Sequence, residues 1–134
     1  MNSSIIPSLK CFLIEDEPLA ISQIRSYIEQ LRALDFLGFA DDIEFIEELI
    51  PFIDQADILF LDIKVSGGDI AVLAPLIKSE TLIVVTSAFS KEDYPEFIKQ
   101  RSLCGLRKPI TMEQFNICIQ KILKLKFQSN NRSS

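Results

Sequence analysis

The sequence has no histidine. That excludes a metal site built on imidazole and a Ser-His-Asp triad. It has no apolar run near the roughly 20 residues that cross a bilayer. The apolar piece at 11–14 is too short for a signal peptide and runs straight into acids. Cysteine is sparse: Cys11, Cys104 and Cys118 are odd in number, far apart and form no CxxC pair. Each sits in an apolar segment, as expected of core thiols in a reducing, cytoplasmic protein. There are no internal repeats. Positive charge is in short supply, with 14 Lys and Arg against 19 Asp and Glu, net −5, which argues against direct nucleic-acid binding by this chain. The shortage is uneven. Residues 1–60 carry 3 basic and 12 acidic side chains, net −9, and residues 61–134 carry 11 and 7, net +4. Solvated helix faces account for such an imbalance, and so does an acidic pocket in the first half beside a more basic partner surface in the second.

What is present fits one globular domain. The 134 residues, 48% apolar and 25% charged, are enough to bury a core without staples. The central stretch is Ile58-Leu59-Phe60-Leu61-Asp62. A short continuous apolar run that ends in a carboxylate and a Gly-containing turn reads as a strand buried on both faces. Cys11-Phe12-Leu13-Ile14 ends the same way in Glu15-Asp16-Glu17. Leu82 to Val85 ends in Thr86-Ser87, and the segment from Leu103 to Arg107 ends in Lys108-Pro109. A further short strand spans Asp35 to Ala40.

Helical patterns separate these strands. The first runs from Pro18 to Ala33, with Pro in the first turn and Ala20, Ile21, Ile24, Ile28 and Leu31 on one face. The second follows Asp41-Asp42, which can cap it; its stripe is Ile43, Ile46, Leu49 and Ile50, and Pro51 marks strain or an early end. A third covers Ile70 to Lys78. A short fourth begins near Tyr94, with Asp93 as its cap. A fifth opens on the capping box Thr111-Met112-Glu113-Gln114 and buries Phe115, Cys118, Ile119 and Ile122. Residues 1–9 read as a flexible leader, 10–126 as the domain and 127–134 as a flexible tail or the start of a linker.

Five strands alternating with five helices predict an α/β flavodoxin-like (βα)5 sandwich with a parallel sheet of order 2-1-3-4-5. In that order Glu15, Asp16 and Asp62 meet at the switch point. Carboxylates this close repel one another unless a cation joins them. An all-oxygen donor set suits a hard ion, Mg2+. Lys108 adds a charge that pairs with phosphate, and Ser87 or Thr86 adds a hydroxyl. Such a rim suits phosphoryl transfer to a carboxylate.

The motifs Cys11-Phe12-Leu13-Ile14-Glu15-Asp16-Glu17-Pro18, Leu59-Phe60-Leu61-Asp62-Ile63, Val84-Val85-Thr86-Ser87-Ala88 and Arg107-Lys108-Pro109 resemble those of response-regulator receiver domains in two-component systems, above all LytTR-type regulators. The resemblance covers residues 10–126. It implies phosphorylation of Asp62 by a sensor histidine kinase. It implies Mg2+ on Asp16, Asp62 and the backbone carbonyl of Lys64, with Glu15 acting through water. Ser87 would be the switch hydroxyl in preference to Thr86, and Lys108 would bridge to the phosphate. The implied protein is a cytoplasmic phosphoacceptor and not an enzyme in its own right, with a second copy of the chain as a further candidate partner. LytTR-type regulators continue into a DNA-binding domain. The 26 residues after Lys108 hold only a helix and a tail, so the expectation is a stand-alone receiver or a chain cut in its linker.

Three departures from the family are visible, the mildest being Glu15 in place of the commoner Asp. Val65-Ser66 replaces the usual Met-Pro, in a loop about one residue short. Gly105 stands where the family has an aromatic residue that moves on activation, so the expectation is either a smaller shift of the helix-four face than in relatives or a movement carried by Phe89 instead. Two alternatives compete with the leading reading. One is a degenerate receiver acting as a phosphorylation-independent binding module. The other is a haloacid-dehalogenase-like phosphatase, whose second motif Asp is Lys64 here.

Overall fold

The computed structural model describes residues 8–132, and side chains as far as 127. The expected leader, apart from its last two residues, lies outside the described residues. Five strands, β1 (Leu9–Ile14), β2 (Leu34–Ala40), β3 (Ile58–Asp62), β4 (Leu82–Ser87) and β5 (Ser102–Arg107), form one parallel sheet of order β2-β1-β3-β4-β5, as the alternating pattern predicts. The helices are α1 (Pro18–Glu29), α2 (Ile46–Gln55), α3 (Glu96–Arg101) and α4 (Met112–Arg132). No helix among the described residues is long and apolar enough to cross a membrane.

The three central strands β1, β3 and β4 are apolar along most of their length because the sheet is covered on both sides there. Side chains alternate between two cores. Cys11, Leu13, Ile58, Phe60 and Val84 pack with Ile24, Ile28, Phe115 and Ile122 from α1 and α4. Phe12, Ile14, Leu59, Leu61, Ile83 and Val85 pack on the opposite side with Leu49 and Ile53 of α2, with Leu73 from the segment between α2 and β4, and with Ile98 of α3. Phe115 is fully buried and stacks on Phe60 at 5.7 Å between ring centroids, with Tyr27 tilted against it at 5.4 Å.

The helical elements depart from expectation in five places. The helix α1 ends at Glu29, short of Ala33, and a turn closed by Leu34 N–H donating to the Leu31 carbonyl leads into β2. The helix α2 starts at Ile46, because the Asp42 carboxylate takes the Glu44 N–H at 3.0 Å in a local turn and Ile43 N–H is tied to the Ser66 carbonyl. Asp42 therefore does not cap α2, and the later start leaves Ile50 exposed and turns Ile53 inward. Pro51 does not end this helix. It deletes one bond, to the Glu47 carbonyl, where both residues are exposed.

The third expected helix is a 3-10 helix over Ile70–Leu76, capped by Asp69 through Ala71 N–H at 2.9 Å. Pro75 lies inside it, and its ring and missing N–H disfavour the α-helical bond to residue 71. The fourth, α3, has Pro95 at its N-cap and no side-chain cap; Asp93 ends a 3-10 turn (Lys91–Asp93) and contacts Ser90 instead. The last helix continues to Arg132, past the point where a tail was expected. At its start Thr111 Oγ1 accepts the Gln114 N–H at 3.1 Å. Gln114 does not complete the box; its Oε1 accepts the Arg107 N–H and its Nε2 donates to the Pro109 carbonyl, joining α4 to the end of β5.

Candidate functional site: a carboxylate rim with one lysine

Strand register assembles the rim. Ile14 pairs with Leu61, so Glu15 leaves the sheet beside Asp62. Asp62 pairs with Thr86, and Ser87 pairs with Arg107, the residue before Lys108. Carboxylate oxygens of Glu15, Asp16 and Asp62 lie within 4.8 Å of one another, as the strand order implies. Glu15 is fully buried and Asp62 is 3% exposed.

Lys108 spans the group. Its Nζ donates to Glu15 Oε2 at 2.8 Å, to Asp62 Oδ2 at 3.3 Å and to Glu17 Oε1. Burial by itself would lower the Lys108 pKa, but the Glu15 and Glu17 carboxylates outweigh it and hold the ammonium charged. Burial pushes the Glu15 carboxyl up to about 7, and its hydrogen bond with Asp62 adds to the rise while Lys108 opposes it. A buried carboxylate pair with one lysine is thus short of positive charge, and a dication would supply what is missing. The donor set is all oxygen, which suits Mg2+.

Each carboxylate has a distinct set of partners. Thr86 Oγ1 donates to Glu15 Oε1 at 2.9 Å, and Glu17 N–H donates to Glu15 Oε2 at 3.2 Å. Asp62 Oδ1 accepts the Lys64 N–H at 3.0 Å. Asp16 Oδ2 accepts both the N–H and the hydroxyl of Ser66, at 3.0 and 2.6 Å. One oxygen of Asp16 therefore holds the loop after Asp62 in place.

The two candidate hydroxyls separate in the structure. Thr86 is committed to Glu15. Ser87 Oγ accepts the Phe89 N–H at 2.8 Å, which leaves its own proton to donate.

Gly67 explains how the loop after Asp62 closes. It has φ +99°, and a Cβ there would come within 2.8 Å of the Glu44 backbone N and 2.9 Å of the Ile43 N. Only glycine fits both the backbone angle and the approach.

Three residues of this region carry no motif signal of their own. Ser66 and Glu17 bind a neighbour of Asp62 and its lysine, and their only sequence signal is adjacency to the motifs. Tyr94 is the third. Gly105 lies mid-strand opposite Val85, and the Tyr94 hydroxyl sits 2.8 Å from where a Gly105 Cβ would be. Tyr94 is 8% exposed and part of the core. A ring therefore does lie at this place, contributed by the segment after β4 and not by β5. Phe89, the expected substitute, is largely exposed, with Lys64 Nζ 5.3 Å above its ring.

No family model matches the chain. It is 30% identical over 122 residues to the sensory transduction protein LytT of Bacillus anthracis, a match covering 88% of this chain and 48% of LytT. With the sensory transduction protein LytR of Staphylococcus epidermidis it shares 27% over 127 residues, covering 92% of this chain and 50% of LytR. The chain thus spans about half the length of these relatives. Its fold matches the response regulatory domain of protein mrkE from Klebsiella pneumoniae with TM-score 0.74 at 22% identity, covering 90% of this chain and 99% of that one. A signal receiver domain from Vibrio parahaemolyticus also matches with TM-score 0.74, at 16% identity, covering 95% and 98%. Sheet order, carboxylate rim and these likenesses make this chain a response-regulator receiver domain in fold, similar in sequence to LytT and LytR.

Proposed function

We propose that this domain takes a phosphoryl group from a phosphohistidine of a sensor histidine kinase onto Asp62, and so switches a protein-interaction face. The observation that carries this reading is the buried Asp62 carboxylate at the carboxyl end of the central strand, with Lys108 Nζ 3.3 Å away and Asp16 and Glu15 beside it. An Asp62 oxygen attacks phosphorus, the P–N bond breaks and the imidazole leaves. Asp16, Asp62 and the Lys64 carbonyl would hold Mg2+, with Glu15 acting through water; the ion would offset charge on the transferring group. Lys108 exchanges part of its carboxylate pairing for the phosphoryl oxygens, and the Ser87 hydroxyl turns its free proton toward them. Thr86 keeps Glu15 in position and does not touch the phosphoryl group. The domain acts as a phosphoacceptor in the cytoplasm, and its only chemistry is its own phosphorylation and dephosphorylation. A second copy of the chain is a candidate partner of the switched face.

Gain of charge at Asp62 draws Ser87 inward and moves the segment that follows β4. That segment carries Tyr94, whose hydroxyl rests on Gly105. Tyr94 is therefore the ring that reports the change to the β4–α3 surface.

The test is phosphorylation of the purified chain by acetyl phosphate with Mg2+, followed by mapping of the modified residue. One phosphoryl group on Asp62 is expected, and none in Asp62→Asn. Equal labelling of that variant refutes the assignment. Asp16→Ala should keep the fold, weaken Mg2+ binding and slow labelling. It also releases Ser66, so hydrogen exchange at residues 64–67 should rise; an unchanged Mg2+ titration removes Asp16 from the site.

A further inference from the structure

Among the described residues the three cysteines are free thiols, and two of them are neighbours. The strand β5 places Cys104, partly exposed, opposite Val84. The helix α4 lays Cys118, 4% exposed, against the same patch. Lys121, one turn beyond Cys118, donates from Nζ to the Leu103 carbonyl at 3.4 Å, which ties that turn of the helix to the strand beside Cys104. Both thiols line one cleft of about 340 Å3, together with Lys91 and Lys121. The site is thus an open half-buried thiol, a buried thiol next to it, and two ammonium groups on the wall.

We propose that Cys104 and Cys118 form a reversible thiol–disulfide pair, in which Cys104 reacts with a small hydroperoxide and Cys118 resolves the product. The thiolate is the reacting form. The neighbouring Cys118 thiol, with the Lys121 and Lys91 ammonium groups, outweighs burial and brings Cys104 down to about 7. The Cys104 sulfur beside it and burial push Cys118 upward, which marks it as the partner that keeps its proton. Cys11 is fully buried, and burial followed by the nearby Asp57 charge pushes its thiol up as well.

The chemistry balances as follows. The Cys104 sulfur attacks the outer oxygen of the hydroperoxide. An S–O bond forms, the O–O bond breaks and an alcohol, or water from hydrogen peroxide, leaves. Sulfur loses two electrons and the peroxide gains them. The Cys118 sulfur then attacks the sulfenic sulfur. An S–S bond forms, the S–O bond breaks, and the hydroxyl leaves as water with the Cys118 proton. The bridge would fasten α4 to β5 one residue from Gly105, where Tyr94 rests. This proposal does not depend on phosphorylation of Asp62.

The test uses the reduced full chain treated with hydrogen peroxide, blocked with N-ethylmaleimide under denaturing conditions and mapped by mass spectrometry. The expected product has lost two hydrogens, about 2 Da, contains a Cys104–Cys118 linked peptide, and returns to the reduced mass with dithiothreitol, while Cys11 remains alkylated. In Cys118→Ser, dimedone should trap a sulfenic acid at Cys104. The wild-type map decides the matter even if that variant does not fold. Full alkylation of Cys104 and Cys118 after treatment, a bridge between two copies of the chain, or oxidation of Cys11 at the same rate as Cys104 would each overturn the proposal.

Discussion

On one face of the sheet, α1 and α4 are regular helices of 12 and 21 residues. On the other, α2 and α3 have 10 and 6 residues and the element between them is a 3-10 helix. Proline explains much of the contrast. Pro18 opens α1, where its missing N–H costs nothing. Pro51, Pro75 and Pro95 fall inside or at the cap of the elements on the second face. The first face is held by aromatic packing through Phe60, Phe115 and Tyr27. The second contains the segment that leaves Ser87 and seats Tyr94 on Gly105. One face is therefore built of regular helices and the other of short or 3-10 elements, which give up fewer strong hydrogen bonds if they shift.

The sharpest way to break this contrast is to empty one matching position on each face. Phe115→Ala removes a fully buried ring and should cost about 3–5 kcal/mol. Phe52→Ala removes the ring that stacks on Phe12 at 5.1 Å but is 41% exposed, and should cost under about 2 kcal/mol. Urea unfolding with a common slope checks both; equal losses would erase the difference between the faces.

Gly67→Ala tests the loop that joins the second face to the rim. A Cβ there meets backbone rather than a side-chain tip, and φ is +99°. The expected loss is about 1–3 kcal/mol, accompanied by slower labelling of Asp62, because Ser66 loses its alignment on Asp16. Full stability with normal labelling would show that the loop has slack.

The smallest effect is the most informative about Tyr94. Gly105 lacks a positive φ, so alanine there meets only the Tyr94 hydroxyl at 2.8 Å. Gly105→Ala should cost about 1 kcal/mol. In a Tyr94→Phe background the nearest remaining atom is the ring carbon at 3.8 Å, an ordinary contact. The cost should vanish there, and reduced freedom of the unfolded chain should return about 0.4–1 kcal/mol. An unchanged penalty in that background would show that Tyr94 is not what fills the space.

The sheet and the residues along its rim are legible from local patterns in the chain. Four-residue apolar runs ending in Glu15-Asp16, Asp62 and Thr86-Ser87, and the shorter pattern before Lys108, are local signals, and β-α alternation leaves little choice of topology once crossovers are right-handed. Tertiary structure alone decided how those residues are partnered. That Thr86 serves Glu15 while Ser87 keeps a proton to donate depends on strand register. That Ser66 holds Asp16, that Tyr94 covers Gly105 and that Cys118 reaches Cys104 depends on contacts between residues distant in the chain, for which no periodicity exists. The third helix shows the same limit from the opposite side: its apolar spacing suits an α-helix, and Pro75 with the Asp69 cap turned it into a 3-10 helix because local hydrogen-bond geometry outweighs a pattern that only says which side faces the core.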